Sequence, residues 1–488
     1  MALSEEILWK KSATEVVSML KRKEISPDEA LDANLKRIKE THSSINAVVT
    51  LCEKRARHQI KNLDTSRKDQ PGYLYGLPIV IKDLTEVKDV KTTYGSKVFE
   101  DYIPSASDFL VERIEKMGGV IIGKTNTPEF GAGSQTFNEV FGYTKNPWNI
   151  KYTSGGSSGG TAAALAAGAA WLGTGSDLGG SLRNPASFCG VVGFRTTPGT
   201  IARGPGNLPF NDLSVDGPMA RTVKDIALFL DTITEVDYRD PLSSVPLGKP
   251  YQNFINEEKH KYNIGISDDF GVLACAPEVR EAVNHAEKIL LEMGHNVERV
   301  SPDLSKSEST FQVLRAHLLA TDKRELYEKH KNILKEDLRL NIEKGFKLTE
   351  EEISRANMAR GQIIKSTNLF FDKYDFLVAP SSMVAPFSIN EHWPKTVENE
   401  TFDNYVSWLM TAAAISLTAC PSLAVPCSTT KNNLPIGIQI VGKRRHEGMV
   451  LNLGHKFQKH SNNYNINKFK NSIGDRGVLL LVLSGPLP

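Results

Sequence analysis

The chain reads as an α/β protein folded as a single large domain, and three observations carry that expectation. Apolar runs of strand length alternate with helical segments from the N-terminal helices to Val441, the pattern of strands and helices laid down in turn. No linker long enough to separate domains interrupts them, so the 488 residues, which by length alone allow two or three domains, are read as one. In the middle lies a stretch of glycine, serine and alanine, Thr153 to Thr197, around which the rest of the chain is organised.

Residues 5–70 read as helices. Ser12-Ala13-Thr14-Glu15 is a start signal, a hydroxyl cap with an acid three residues on, and Val16, Val17, Met19 and Leu20 form the apolar face behind it. Ser26-Pro27-Asp28-Glu29 is a stronger start, with proline in the first turn and acids after it. Ile45 to Val49 reads as a short strand and is followed by a charged helix to about Leu63. An apolar strand, Leu77 to Ile81, ends in Lys82 and Asp83. Val111 to Met117 reads as a helix and Gly119 to Gly123 as a buried strand.

The central stretch falls into ordered blocks, unlike a flexible glycine-serine linker. A turn, Gly155 to Gly160, leads into a helix of small residues, Thr161 to Ala170. A second turn, Gly173 to Ser181, precedes a buried segment, Phe188 to Phe194. Glycine serves where backbone takes unusual angles or approaches something closely, so two serine-bearing turns joined by such a helix point to two hydroxyls held near one point. Beyond it, Asp216 to Asp225 is expected to open a helix, and residues 236–262 form a polar surface excursion. Asn263 to Ser267 and Asn296 to Val300 read as strands on either side of a Pro277 to Met293 helix. Residues 303–375 are charged and helical, Phe376 to Pro380 is a buried strand, Trp408 to Ala424 a small-residue apolar segment, and Ile436 to Val441 a strand. Residues 1–460 are taken as the domain, with 461–488 as an atypical tail that ends in the apolar run Gly477 to Leu483.

Composition narrows the function. Lys plus Arg number 59 and Asp plus Glu 57, a formal charge of +2, which gives no electrostatic case for direct binding of nucleic acid or an anionic membrane. The five cysteines form no CxxC pair and are odd in number, so a reducing compartment is expected. The N-terminus lacks an apolar signal core, and no run approaches the ~20 apolar residues of a membrane span. A cytoplasmic location follows as the expectation, and neither a metal nor a cofactor is called for, since no HExxH or Cys/His ligand spacing occurs.

Rival motifs fail on spacing. A phosphate-binding loop needs lysine and Ser or Thr after its second glycine, where this chain has Thr161-Ala162. Gly173-Thr174-Gly175-Ser176-Asp177-Leu178-Gly179 has one residue too many for a dinucleotide fingerprint. Gly155-Gly156-Ser157-Ser158-Gly159 matches a nucleophile elbow, but Lys151-Tyr152-Thr153 makes a poor preceding strand. No histidine lies between His58 and His260, so a base for this region is either a later histidine or another residue type. Lysine can serve, because burial lowers its pKa towards working pH. Lys82 at a strand end is a candidate, although a strand-end lysine more often reaches out to water.

The run GGSSGG…GSDLGGSLRNPASFCGVVGFRTTPG strongly resembles the signature of the amidase signature family, and the blocks around Gly76 to Asp83, Gly123 to Phe130, Gly217 to Val223 and Leu434 to Gln439 match it as well, over roughly residues 10–460. The resemblance implies a central mixed β-sheet covered by helices on both faces, with a core signature region at 75–225 and a helix-rich variable region at 303–400. It also implies a Ser-cisSer-Lys triad: Ser181 as nucleophile, Ser157, after a cis peptide, as proton relay, and Lys82 as base. The backbone N–H groups of Leu178, Gly179, Gly180 and Ser181 are implied as the oxyanion hole. Asp177 and Arg183 are expected to hold the turn by an internal salt bridge, and Ser158 to support the site. Ser176 and Ser187 are read as structural, and Cys189, in an apolar setting, ranks far below Ser181 as a nucleophile.

Family members are free-standing hydrolases of varied amides or the glutamine-hydrolysing component of the tRNA-dependent amidotransferase. That component carries an acid about 12 residues before a proline matching Pro421, where this chain aligns Leu409, and Val192 to Gly199 departs from its Gly-Leu-Lys-Pro-Thr form. The reading at this level is a stand-alone hydrolase of a small-molecule amide, with a homodimer left open. The glutaminase component of a glutamyl/aspartyl-tRNA amidotransferase is the alternative, and an inactive binding or scaffold protein of the same fold stands third.

Overall fold

Eleven strands form one sheet. In chain order they are β1 (Val48–Leu51), β2 (Pro78–Lys82), β3 (Val120–Thr125), β4 (Leu172–Asp177), β5 (Val192–Arg195), β6 (Val215–Ala220), β7 (Asn263–Ile266), β8 (Asn296–Arg299), β9 (Phe376–Pro380), β10 (Ser422–Thr429) and β11 (Pro435–Gly442). They lie side by side as β1-β3-β2-β4-β6-β5-β10-β11-β9-β7-β8. β2 runs parallel to β3 and β4, and β7 parallel to β8 and β9; the central pairs between these groups are antiparallel. The computed structural model describes residues 8–461 apart from 259, 260 and 272, so the tail from residue 462 onwards lies outside the described residues.

Strand alternation sends successive side chains to opposite faces, and both faces are covered. Ile79 and Ile81 join an apolar cluster with the Ala13–Lys21, Val223–Ile233 and Glu447–His460 helices. Val80 joins the opposite cluster with the Gly159–Ala166 and Pro27–Ile45 helices. Farther along the sheet, Leu377 and Ala379 meet the Ser307–Asp322 and Met410–Leu417 helices. The chain is thus a single large α/β domain with a mixed sheet between two helical layers.

Local signals set several boundaries. Ser12 and Glu15 form a reciprocal capping box, Glu15 N–H donating to Ser12 Oγ at 3.2 Å and Ser12 N–H to Glu15 Oε2 at 2.7 Å, and Ser26 with Glu29 repeats it. The helix begun there runs on to Ile45 and is capped by Asn46 at φ 55°, so the strand expected at Ile45 to Val49 begins only at Val48.

Three further expectations need correction. The second glycine-serine turn is mostly strand: β4 extends from Leu172 to Asp177, and only residues 178–181 turn. Glycine sits in this strand because the neighbouring layers close on it; a Cβ on Gly173 would stand 2.5 Å from Thr161 and 2.9 Å from Val80. Residues 215–220 form β6, paired along its whole length with β4, and the helix starts only at Val223; sheet pairing overrides the weak strand propensity of Asp-Gly-Pro. Asn149–Thr153 is a strand after all, but it pairs with Lys145–Asn146 in a ribbon outside the main sheet.

Candidate active site

Lys82 closes β2, a strand buried at every residue. Alternation turns it to the face of the small-residue helix, whose N-terminus carries Ser157 and Ser158. Its Nζ lies 2.7 Å from Ser157 Oγ, 2.9 Å from Ser158 Oγ and 2.9 Å from Ser176 Oγ, and the residue is 0% exposed. Burial pulls its pKa down from 10.5 to about 7, against the opposing pull of the Asp216 and Asp177 charges and with a smaller push from Arg203. A neutral amine has two N–H donors and one lone pair, which matches three hydroxyl neighbours when one of them donates. Ser158 is an acceptor: its own proton goes to the Ser176 carbonyl at 3.4 Å, while Ser176 N–H donates to its oxygen at 3.3 Å. The donated proton then comes from one of the other two hydroxyls, of which Ser157 makes the shorter contact. The peptide before Ser157 is cis.

Ser176, expected to be structural, belongs to this cluster. A turn over residues 173–177 would give its side chain no defined direction, whereas the strand aims it at the amine. β4 pairs Gly173 with Val80 and runs on past the level of Lys82 to Asp177, which carries Ser176 up to the amine; no local sequence signal points to it.

Ser181 follows the turn at the end of β4. Its carbonyl accepts from Ser158 N–H at 3.1 Å, which ties the two serine loops together. The Ser181 side chain is partly exposed and takes no hydrogen-bond partner among the described residues.

The turn is held from inside. Arg183 grips Asp177 bidentately, Nε to Oδ2 at 3.0 Å and Nη2 to Oδ1 at 2.9 Å, and Arg195 donates to the Asp177 carbonyl. Burial alone would raise the Asp177 pKa, but the Arg183 and Arg195 charges and hydrogen bonds outweigh it and hold the carboxyl well below the usual range. Arg183 is 0% exposed and also donates to Ala412 O, Gln439 Oε1 and Ser416 Oγ, each at 2.8 Å, so it is a turn-holding residue with nothing left for a substrate. Asp177 spends Oδ1 on Gly180 N–H at 2.8 Å and Oδ2 on Leu182 N–H at 3.2 Å. The first of these narrows the expected oxyanion set: Gly180 N–H is committed to Asp177, whereas the N–H groups of Leu178, Gly179 and Ser181 find no acceptor among the described residues. Gly180 has φ +115°, and a Cβ there would stand 2.6 Å from Ala412 Cβ, so the turn requires glycine.

The surroundings are apolar. The Phe311 ring stands where a Gly179 Cβ would lie, at 2.8 Å, and Leu178 and Leu409 pack on the same cluster as Phe311, Trp408 and Ala413. Ser187 is structural as expected, its Oγ accepting from Gly437 N–H at 2.7 Å. Cys189 is buried and its thiol pushed far up by burial. No histidine hydrogen-bonds to Ser157, Ser158 or Ser176 among the described residues.

A buried lysine among serine hydroxyls, beside a free serine on a donor-rich turn, at the strand ends of a large mixed sheet, is the arrangement of an amide hydrolase, and comparison with known proteins agrees. The Amidase family model matches residues 29–451. The chain is 33% identical to the A subunit of glutamyl-tRNA(Gln) amidotransferase from Sulfurihydrogenibium sp. over 92% of its length and 97% of that protein's, and 33% identical to its counterpart from Bacillus pumilus over 93% and 97%. Among solved structures, a bacterial aryl acylamidase of the amidase signature enzymes superposes with a TM-score of 0.88 at 25% identity, over 96% of this chain and 99% of that one. The glutamyl-tRNA(Gln) amidotransferase protein from Thermotoga maritima gives 0.76 at 26% identity, over 92% and 95%. The chain belongs to the amidase signature family and is an enzyme of the amide carbon–nitrogen hydrolase type.

Proposed function

We propose that hydrolysis proceeds through an acyl-enzyme on Ser181, with Ser157 as proton relay and Lys82 as base. The observation that carries this reading is Lys82 itself, buried, ringed by three hydroxyls and with a pKa of about 7. Neutral Lys82 takes the Ser157 proton as Ser157 takes that of Ser181. The Ser181 oxygen bonds to the amide carbon, and the resulting oxyanion is met by the Leu178, Gly179 and Ser181 N–H groups, worth a few kcal/mol each in such sites. The proton returns through Ser157 to the leaving nitrogen, the carbon–nitrogen bond breaks, and water then hydrolyses the ester by the same relay.

For the substrate, the relatives favour the alternative named from the sequence over the stand-alone reading. Proteins 30–33% identical along almost the whole chain carry the name of the glutamyl-tRNA(Gln) amidotransferase A subunit, so glutamine hydrolysis within a multi-subunit amidotransferase is the leading assignment. A stand-alone amidase is the second reading, and two observations favour it: the better superposition on the aryl acylamidase, and the apolar surroundings of the turn, with Leu409 where an acid is expected. A cytoplasmic location accords with five unpaired cysteines.

Purified full-length chain assayed on glutamine and on aryl anilides, alone and with co-expressed amidotransferase partners, decides between them. Ammonia release from glutamine that needs the partners supports the amidotransferase assignment; anilide cleavage by the chain alone, with no glutaminase activity in either state, overturns it. Ser181→Ala at wild-type rate in every assay would sink the triad.

A further inference from the structure

Beyond the three hydroxyls, a second ring of charge approaches the lysine. Ser176 on β4 stands directly opposite Asp216 on β6, and opposite residues of an antiparallel pair put their side chains on one face a few ångströms apart. Since Ser176 Oγ lies 2.9 Å from Lys82 Nζ, the Asp216 carboxylate is one side chain removed from the amine. Asp216 is 6% exposed and is held by Arg203, Nε to Oδ2 at 2.8 Å. Arg203 is itself fixed, Nη1 donating to Ser214 O at 2.7 Å and its N–H to Asp240 Oδ2 at 2.9 Å.

We infer that Asp216 and Arg203 are positioning residues acting on Lys82 through the Ser176 side of the cluster, Asp216 favouring the protonated amine and Arg203 the neutral one, so that the pair sets the pH at which the enzyme becomes active. The inference rests on the proposed role of Lys82 as base.

The other charges around the amine are already answered. Asp177 is neutralised by Arg183 and Arg195. Asp83, next to Lys82 in the chain, pairs with Lys124 of β3 at 3.3 Å. Burial and the Asp216 charge push the Asp108 carboxyl up, which favours its neutral form. Asp240 is taken up by the Arg203 and Leu242 N–H groups. Asp216 therefore remains the acid with the larger influence on Lys82, ahead of Asp177, and Arg203, whose side chain is 37% exposed, is its moderator. The directions agree with the Lys82 pKa, which Asp216 raises and Arg203 lowers.

The test needs no natural substrate. A fluorophosphonate probe forms a bond from phosphorus to Ser181 Oγ and releases fluoride, with the serine proton passing to Lys82, so the labelling rate of the full chain from pH 5 to 10 reports the charge of Lys82. Asp216→Asn is expected to move the acid limb of that profile down by about one pH unit and Arg203→Gln up by about one, a roughly tenfold change of opposite sign at pH 6. Asp216→Glu restores the wild-type limb. Should Asp216→Asn fail to fold, the partly exposed Arg203→Gln carries the test, with Arg203→Lys as its rescue. Superimposable limbs, or limbs moving in the same direction, overturn the inference while leaving the base assignment intact, provided that Lys82→Ala is unlabelled near neutral pH. Wild-type labelling of Lys82→Ala overturns both.

Discussion

Replacing Lys82 with methionine should make the protein more stable at neutral pH while abolishing its activity. Lowering a lysine from 10.5 to about 7 costs roughly 5 kcal/mol at about 1.4 kcal/mol per tenfold. Methionine fills a similar volume without charge, but Ser157, Ser158 and Ser176 each lose a partner, at about 1 kcal/mol apiece. The balance is about 2 kcal/mol in favour of Lys82→Met at pH 7. Between pH 7 and 10.5 the folded state holds fewer protons than the unfolded one, so the wild type gains stability as pH rises and the burial cost disappears above 10.5. Losing about 1.4 kcal/mol per pH unit, the advantage of the variant therefore reverses at about pH 8.5. Because a chain of this size need not refold reversibly, the cleaner assay is proton uptake on urea unfolding, read with an indicator dye in weak buffer. At pH 8.5 the folded amine is neutral and the unfolded one charged, so the wild type should take up about one more proton per chain than Lys82→Met, falling to about half a proton at pH 7. Equal uptake at pH 8.5 would mean that Lys82 keeps its ordinary pKa in the fold, and the base assignment would fail.

Other outcomes follow from the site's packing. Asp177→Ala leaves the buried Arg183 and Arg195 charges unanswered and should cost about 3–5 kcal/mol in urea unfolding; a loss below about 1 kcal/mol would refute the turn-holding role. Gly180→Ala, with φ +115° and Ala412 in the way, should cut kcat by about 100-fold or more through a displaced oxyanion turn, and wild-type kcat would show the turn to be uninvolved. Iodoacetamide at pH 7 should leave turnover intact, since Cys189, Cys275, Cys420 and Cys427 are buried and burial raises the thiol pKa of each, as it does for half-buried Cys52; rapid inactivation would reopen a cysteine nucleophile.

Much of the architecture is legible in the sequence because its signals are local. The caps at Ser12 and Ser26 and the apolar runs of β2, β3, β7, β9 and β11 each announce an element within a few residues. The central departures share one cause: β4 and β6 are glycine-bearing strands, and only their position between other strands makes them strands at all. A composition rule sees turn residues there, and the sheet sees room for close neighbours.

The sequence points to the family through the resemblance of its blocks, and it is that resemblance that implies Lys82, Ser157 and Ser181 as a set, with Asp177 and Arg183 beside them. The tertiary structure alone decides what each one faces. It brings in Ser176, because β4 runs past the end of its parallel neighbour β2 and meets the Lys82 amine there; it removes Gly180 N–H from the free donors, because the Asp177 carboxylate turns back beneath its own turn. It also decides the chemistry of Lys82, since a lysine carries no base strength at neutral pH in its name. That comes from the depth at which the fold buries it and from which carboxylates and guanidiniums surround it.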